Sequence, residues 1–399
     1  MNVTNTQDVR GASSAIDRAS KWARSNLFDG TGSTVLTLLT AVVATFLIYT
    51  IVKFIFVGAD WEVVDVNRRL IFLGRYPKEE QWRIWPPMWL VMGLGGLTYG
   101  LLSRISLRDL VWLGAAVMFL LVFLATLTNG LLFGAGIILT AAAYGVGRSA
   151  VERPRLRARI RLGLTVGWLL AIPFAIVLIA GFGGVKPALW GGLLLNVLLA
   201  AIGIGVGLPL GILLALSRAS SLPVLKVFAT SIIEITRGGP LIAWLFIARF
   251  VLPVFIPGFL ETDPIVNSMI VVSLFTGAYV AEIVRGGLQA VDRGQVEAAN
   301  ALGLGGFNVT VFIVLPQAIR AVTPALVSQL ISLWKDTTLF AFLGFTDALS
   351  GGQAAYNQTA FKGDQIEVLL FIALMFWAVA FGMSRLSQRI ERVLGIGAR

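Results

Sequence analysis

The 399 residues include no cysteine and no histidine, and only 13% of them are Asp, Glu, Lys or Arg. Each shortage removes a class of chemistry. Without Cys there is no disulfide framework and no thiol nucleophile. Without His there is no imidazole base, and the usual zinc and haem ligand sets are missing, so no metal site is expected. A soluble domain carries roughly 25% charged residues, so about half of that charge is absent. The sequence also lacks any Gly-x-x-x-x-Gly-Lys-Ser/Thr stretch, the loop that cradles nucleotide phosphates. The chain is therefore not expected to bind ATP itself. The net charge of +11 would suggest nucleic acid in a soluble protein. In an apolar chain it is what Lys and Arg gathered on one side of a membrane produce, and no nucleic-acid partner is expected.

What the chain has instead is apolar sequence in long blocks, 57% of the total. Blocks of that length predict an all-α polytopic membrane protein, whereas a β-barrel would show short alternating segments. Residues 34–52, TVLTLLTAVVATFLIYTIV, are uncharged and long enough to span. Further spans are expected near 86–103, 110–127, 130–147, 162–182, 190–216, 227–256, 265–284, 317–335 and 366–384, about ten in all. Residues 111–147 carry no charge. One helix of that length would overshoot a hydrocarbon core of ~30 Å, so a break is placed near Thr128-Asn129-Gly130. With the N-terminus in the cytoplasm, 21 of the 32 Lys and Arg fall in inside segments and seven in outside segments. That bias predicts a bacterial inner-membrane protein with both termini cytoplasmic. The first apolar run is too long for a signal-peptide core.

The chain divides by character. Residues 1–33 read as a cytoplasmic tail. Residues 34–185 give about five spans, with an outside loop at 58–85 leading into QWRIWPPMW, whose tryptophans suit a membrane interface. From about residue 186 to 390, glycines, polar insertions and ionisable residues enter the apolar runs, and 391–399 form a second tail. There is no internal repeat. The basic tract Arg148 to Arg161 marks an inside segment and is a place for anionic lipid headgroups.

One inside loop, 286–316, stands out. Asp292 with Gln295 three residues on resembles a helix start of capping-box type, and 296–302 is a run of good helix formers. Glu297 is placed in the first turn, where the helix dipole favours a carboxylate. Gly303 or Gly305 can supply a left-handed stop, and Pro316 is expected to interrupt the next helical segment. Ala298 and Ala299 give a smooth face for close approach. Glu297-Ala298-Ala299, three residues, Gly303, nine residues, then Ile313, Leu315 and Pro316 resembles, at every position, the coupling loop of bacterial ABC importer permeases. The stretches GAYVAEIVRGGLQAVDRGQVEAANALGLG, LPQAIRAVTPALVSQLISLWKDTTL and EITRGGPLIAWLF are similar to the polar amino acid uptake branch, with Thr236 and Gly239 departing from its usual pattern. The likeness covers about 187–390. The extra N-terminal spans resemble the long permease of general L-amino acid (glutamate/glutamine/aspartate/asparagine) systems.

The resemblance implies a five-helix type I permease core that is not an enzyme. It implies two cytoplasmic ATPase subunits that bind ATP and Mg, a periplasmic amino-acid-binding protein, and a second, shorter permease. It also implies that Glu297, Ala298, Ala299, Gly303, Leu315 and Pro316 receive the push of the ATPases. Ser328, Gln329, Ser332, Trp334, Lys335, Asp336 and Thr337 offer both hydrogen-bond senses along the most polar span and are the expected substrate path. Glu234 with Arg237 and Glu282 with Arg285, each three apart, can pair on one helix face. Gly203, Gly207 and Gly211 allow close helix approach, and Pro209 among them is a kink candidate. Two other readings remain open: an ion-coupled secondary amino acid transporter using Glu234 and Glu282, and a non-transporting membrane scaffold that docks a partner on the loop.

Overall fold

The computed structural model describes residues 17, 20–102, 127–255 and 262–395. Among the described residues every regular element is helical, and an isolated bridge between Gly192 and Asp347 is the only β pairing. The chain forms two compact units, Met1–Trp61 and Glu62–Arg399. The first holds α1, Thr31–Lys53, which runs on through a π-turn at Phe54–Gly58. No residue of α1 is buried. A helix apolar on every side and unpacked within its own unit suits a lipid surround.

The second unit is a helical bundle. Two short helices, α2 (Glu62–Val66) and α3 (Arg68–Leu73), precede α4 (Trp85–Leu102), α5 (Leu127–Ala150) and α6 (Pro154–Ala180). Next come α7 (Gly192–Ala219), α8 (Pro223–Arg237) and α9 (Leu241–Phe246), the last extended by a π-turn at Ile247–Val251 and by α10 (Leu252–Phe255). The remainder is α11 (Pro264–Ala290), α12 (Arg293–Ala301), α13 (Leu315–Asp336), α14 (Ala348–Tyr356) and α15 (Gln365–Leu394).

Seven helices among the described residues are long and apolar enough to cross a membrane, or eight if the α8–α10 stretch counts as one. The described residues therefore do not confirm the expected ten. The span expected at 110–127 lies almost wholly outside the described residues, and the Trp85–Leu102 helix, with two prolines and two tryptophans in its first five residues, falls short of that apolarity. The stretch expected as one span at 227–256 is instead broken, with α8 and the α9–α10 segment meeting at 101°. Gly238-Gly239-Pro240 makes the elbow. Pro240 is extended at φ −69° and ψ 143° and cannot continue α8. Trp244 Nε1 donates across the bend to the Thr236 carbonyl at 3.0 Å, and a Cβ on Gly239 would lie 3.0 Å from that nitrogen. Of the two positions that depart from the uptake-branch pattern, Gly239 leaves room for Trp244, while Thr236 meets it through its backbone carbonyl alone among the contacts described.

The centre of the bundle is the α7–α11 pair. A Cβ on Gly203 would lie 2.8 Å from Val272 Cγ1, one on Gly207 2.7 Å from Thr276 Cβ, and one on Gly211 2.5 Å from Val280 Cγ1. The three glycines let two backbones approach over two turns, which is their packing role. Pro209 sits on the exposed face, and α7 continues through it to Ala219. Two apolar clusters fill the bundle. One gathers Trp190, Leu195, Leu199, Leu245, Met269, Phe340 and Phe345, and the other Ala215, Ala229, Ile233, Val280, Val284 and Leu326.

The segment 62–84 belongs to this bundle. α3 packs on α14 and on the start of α7. A Cβ on Gly351 would lie 2.6 Å from the Leu70 carbonyl oxygen, and Gly192, at φ +57°, approaches Leu73 N just as closely. Gln358 Nε2 donates to Asn67 Oδ1 at 2.7 Å. Arg83 is buried, pairs with Glu80, and donates to the Leu178 and Gly181 carbonyls at 3.0 and 3.3 Å, which fastens the segment to the end of α6.

Candidate functional site

The loop after α11 is built from local rules. The Asp292 carboxylate accepts from Gly294 N at 2.7 Å, so the helix starts at Arg293, three residues before the expected 296. Glu297 therefore stands in the second turn rather than the first. It is exposed and forms no ion pair among the described residues, so it does not anchor the helix. The side chain of Gln295 does not close a capping box; its amide oxygen accepts from Gln317 Nε2 at 3.4 Å, across to α13. Gly303, at φ +75°, ends the helix, while Gly305 has φ −68°. Gly303 N donates to the Asn300 carbonyl and Leu304 N to the Ala299 carbonyl, the paired bonds of a Schellman stop.

The faces of this helix divide between the two alanines. Ala298 is exposed, whereas Ala299 is 4% exposed and turned into the chain. The smooth outward face therefore comes from Ala298 alone. Beside it stand Leu302, 81% exposed, and Phe307, 76% exposed, on either side of Gly303. Sequence reasoning passed over both; a large apolar side chain in a polar loop is the signal that would have found them. The chain then enters α13 through a π-turn at Val309–Val314. Pro316 lies in the first turn of α13 and does not interrupt it, because the wider π-turn before it absorbs the missing donor. Leu315 packs on the cluster of Ala215 and Val284.

One turn above the loop, three helices share a charged cluster. The carboxylate of Glu282 on α11 pairs with Arg285, with Arg218 at the end of α7 at 3.2 Å, and with Arg237 at the end of α8 at 3.5 Å. Arg218 also holds Glu234 of α8 at 2.9 Å, and Arg237 lies over the Tyr279 ring at 5.4 Å. The expected i,i+3 pair forms for Glu282 and Arg285. Glu234 and Arg237 do not pair with each other; each reaches a different helix. Neither carboxylate is left free to carry a coupling ion.

The expected path residues of α13 separate. Ser328 and Lys335 are exposed on one face, with Gln329, Ser332 and Asp336 partly exposed near them. Trp334 and Thr337 turn inward. Trp334 is 3% exposed, donates to the Phe376 carbonyl at 3.0 Å and stacks on the Phe376 ring. Thr337 receives Asn196 Nδ2 at 3.2 Å. At this end of the bundle Asn196, fully buried, also donates to Asp347 at 3.3 Å and accepts from Ala348 N at 3.0 Å. Asp347 caps α14 through Ser350 N, and burial pushes its carboxyl above the usual carboxylate range. Among the described residues no cluster of acidic side chains could hold a metal.

Comparison with known proteins places these features. Residues 207–395 match the family model described as binding-protein-dependent transport system inner membrane component. The chain is 34% identical over 413 residues to the glutamate/glutamine/aspartate/asparagine transport system permease protein BztC of Rhodobacter capsulatus, covering 94% of both chains. It is 32% identical to the inner membrane amino-acid ABC transporter permease protein YhdY of Escherichia coli, covering 97% of this chain and 96% of that one. A probable glutamine ABC transporter permease protein of Bacillus subtilis is 32% identical but aligns with 51% of this chain and 92% of its own length. The long relatives align with nearly the whole chain, and the short one with half of it.

Proposed function

Since the chain belongs to the amino-acid ABC transporter permeases of the inner membrane, we propose that it carries glutamate, glutamine, aspartate or asparagine, the substrates in the name of its Rhodobacter relative. It is a transport subunit, and ATP hydrolysis belongs to partner ATPases. We further propose that the loop 286–316 faces the cytoplasm and receives two ATPase subunits, which hold the ATP and Mg. On this reading both termini are cytoplasmic, the Asn196–Asp347 end faces the binding protein, and a second, shorter permease completes the path.

The observation that carries the coupling role is the rigid helix Arg293–Ala301, sharply stopped at Gly303, with Leu302 and Phe307 held out beside exposed Ala298 and Glu297. A closed helix transmits a push as a body, and α11 and α13, which it joins, would move with it. The Glu282 cluster ties that motion to α7 and α8. The face of α13 bearing Ser328, Ser332 and Lys335, with Gln329 and Asp336 beside it, is the proposed path; Trp334 and Thr337 support it from behind. Glu234, Arg237, Glu282, Arg285 and Pro209 have structural roles.

Reconstitution in proteoliposomes tests the reading. Amino-acid uptake should require ATP, the ATPase subunits and the binding protein together. Uptake driven by an ion gradient with no ATPase present would overturn it.

A further inference from the structure

Arg249 is a cation inside an apolar helix, with no counter-charge among the described residues. It sits in the π-turn Ile247–Val251 between α9 and α10. Its guanidinium lies 4.6 Å from the Phe345 ring and 5.8 Å from the Phe250 ring. Its Nε is buried and has no hydrogen-bond partner, and among the described residues no carboxylate pairs with it. The contrast with the arginines of the Glu282 cluster is plain. Arg218, Arg237 and Arg285 are all neutralised by side chains of this chain.

An ionised group in a membrane-spanning helix is costly unless paired. A π-turn inserts one extra residue and redirects the side chains around it, and such turns recur at functional positions. Phe246, Phe250, Val254 and Phe255 are well exposed, whereas Leu245 and Ala248 are buried. Arg249 is half-buried and reaches Phe345, itself 6% exposed and part of the core cluster. The cation is therefore directed toward the bundle. Phe345 is two residues before Asp347, so Arg249 lies at the Asn196–Asp347 end.

We propose that Arg249 is an anion-binding residue on the transport path, taking the α-carboxylate that every amino acid carries as it enters from the binding protein. This rests on the function proposed above. A guanidinium held over an aromatic ring, with no carboxylate on it among the described residues, keeps donors of the kind that match a carboxylate.

The test uses the complete transporter, assembled with its partner permease, ATPases and binding protein, in proteoliposomes with L-glutamine as the probe. R249Q should lower ATP-dependent uptake at least tenfold while binding-protein-stimulated ATP hydrolysis stays within twofold of the parent. R249M, equally neutral, replaces it should the glutamine variant fail to assemble. Unchanged uptake overturns the proposal. So does an equal fall in uptake and ATP hydrolysis in an intact complex, which would make Arg249 a packing residue. Repeating the comparison in zwitterionic and in anionic vesicles separates the anion's source: an effect confined to anionic vesicles assigns Arg249 to a lipid headgroup and overturns the substrate role. If the parent complex itself shows no ATP-dependent amino-acid uptake, the underlying function falls, and this inference with it.

Discussion

Glu282 and Arg218 are 64 residues apart in sequence and 3.2 Å apart in space. That contact joins the end of α7 to α11 just before α11 leads into the Arg293–Ala301 helix. Glu282 is one carboxylate among three guanidiniums, with its side chain 22% exposed.

Replacing Glu282 by Gln leaves Arg218, Arg237 and Arg285 facing one another. Removing one partner of a partly buried ion pair strands the others, and with partial solvent screening the expected cost is about 1–3 kcal/mol. The thermal midpoint of the purified complex should fall in E282Q. Glu234, 58% exposed and paired among the described residues with Arg218, should cost under about 1 kcal/mol as E234Q.

Gly303→Ala and Gly192→Ala separate two uses of the same backbone freedom. Both glycines have positive φ, but a Cβ at 303 meets nothing within 4 Å, whereas one at 192 would lie 2.4 Å from Leu73 N and Phe72 C. Gly303→Ala should cost about 1–2 kcal/mol from backbone strain alone. Gly192→Ala adds a backbone clash and should cost about 3 kcal/mol or more, releasing α3 from the start of α7. Thermal unfolding of the two variants side by side checks the order.

Gly303→Asp should leave the bundle assembled, since the space is open, while ATP hydrolysis and transport become uncoupled. The check is uptake per ATP hydrolysed in proteoliposomes. A normal ratio would remove the coupling role of the loop.

Asp347 makes a pH prediction. Its folded carboxyl is raised by burial, so the folded state holds the proton more tightly than the unfolded chain. That contribution is full below the unfolded carboxyl's pKa and is lost as pH rises through the folded value. The midpoint of the parent should fall relative to that of D347N as pH rises across this range, read by thermal unfolding at a series of pH values. Asp347→Ala removes the bond to Ser350 N as well and should cost about 1–2 kcal/mol at low pH, and less as pH rises.

Local signals carried much of this. Gly303 followed the stop rule because a left-handed residue suits glycine whatever surrounds it. The bend at Gly238-Gly239-Pro240 was missed because composition across 227–256 reads as one apolar block, and hydropathy is blind to direction. Ala298 and Ala299 look alike in sequence. Which of them faces out depends on where the helix begins, and the Asp292 cap starts it at Arg293, three residues before the run 296–302 of good helix formers.

The sequence by itself determined the all-helical membrane class, from the length of its apolar runs, and the family, from spacings within one loop. Both depend on neighbours along the chain. The tertiary structure alone decided that Glu234 and Arg237 part to pair elsewhere, that Trp334 and Thr337 turn inward, and that residues 62–84 pack on α7 and α14. Those outcomes depend on which helices meet, and a side chain's partner across a bundle is set by packing geometry that no local pattern encodes.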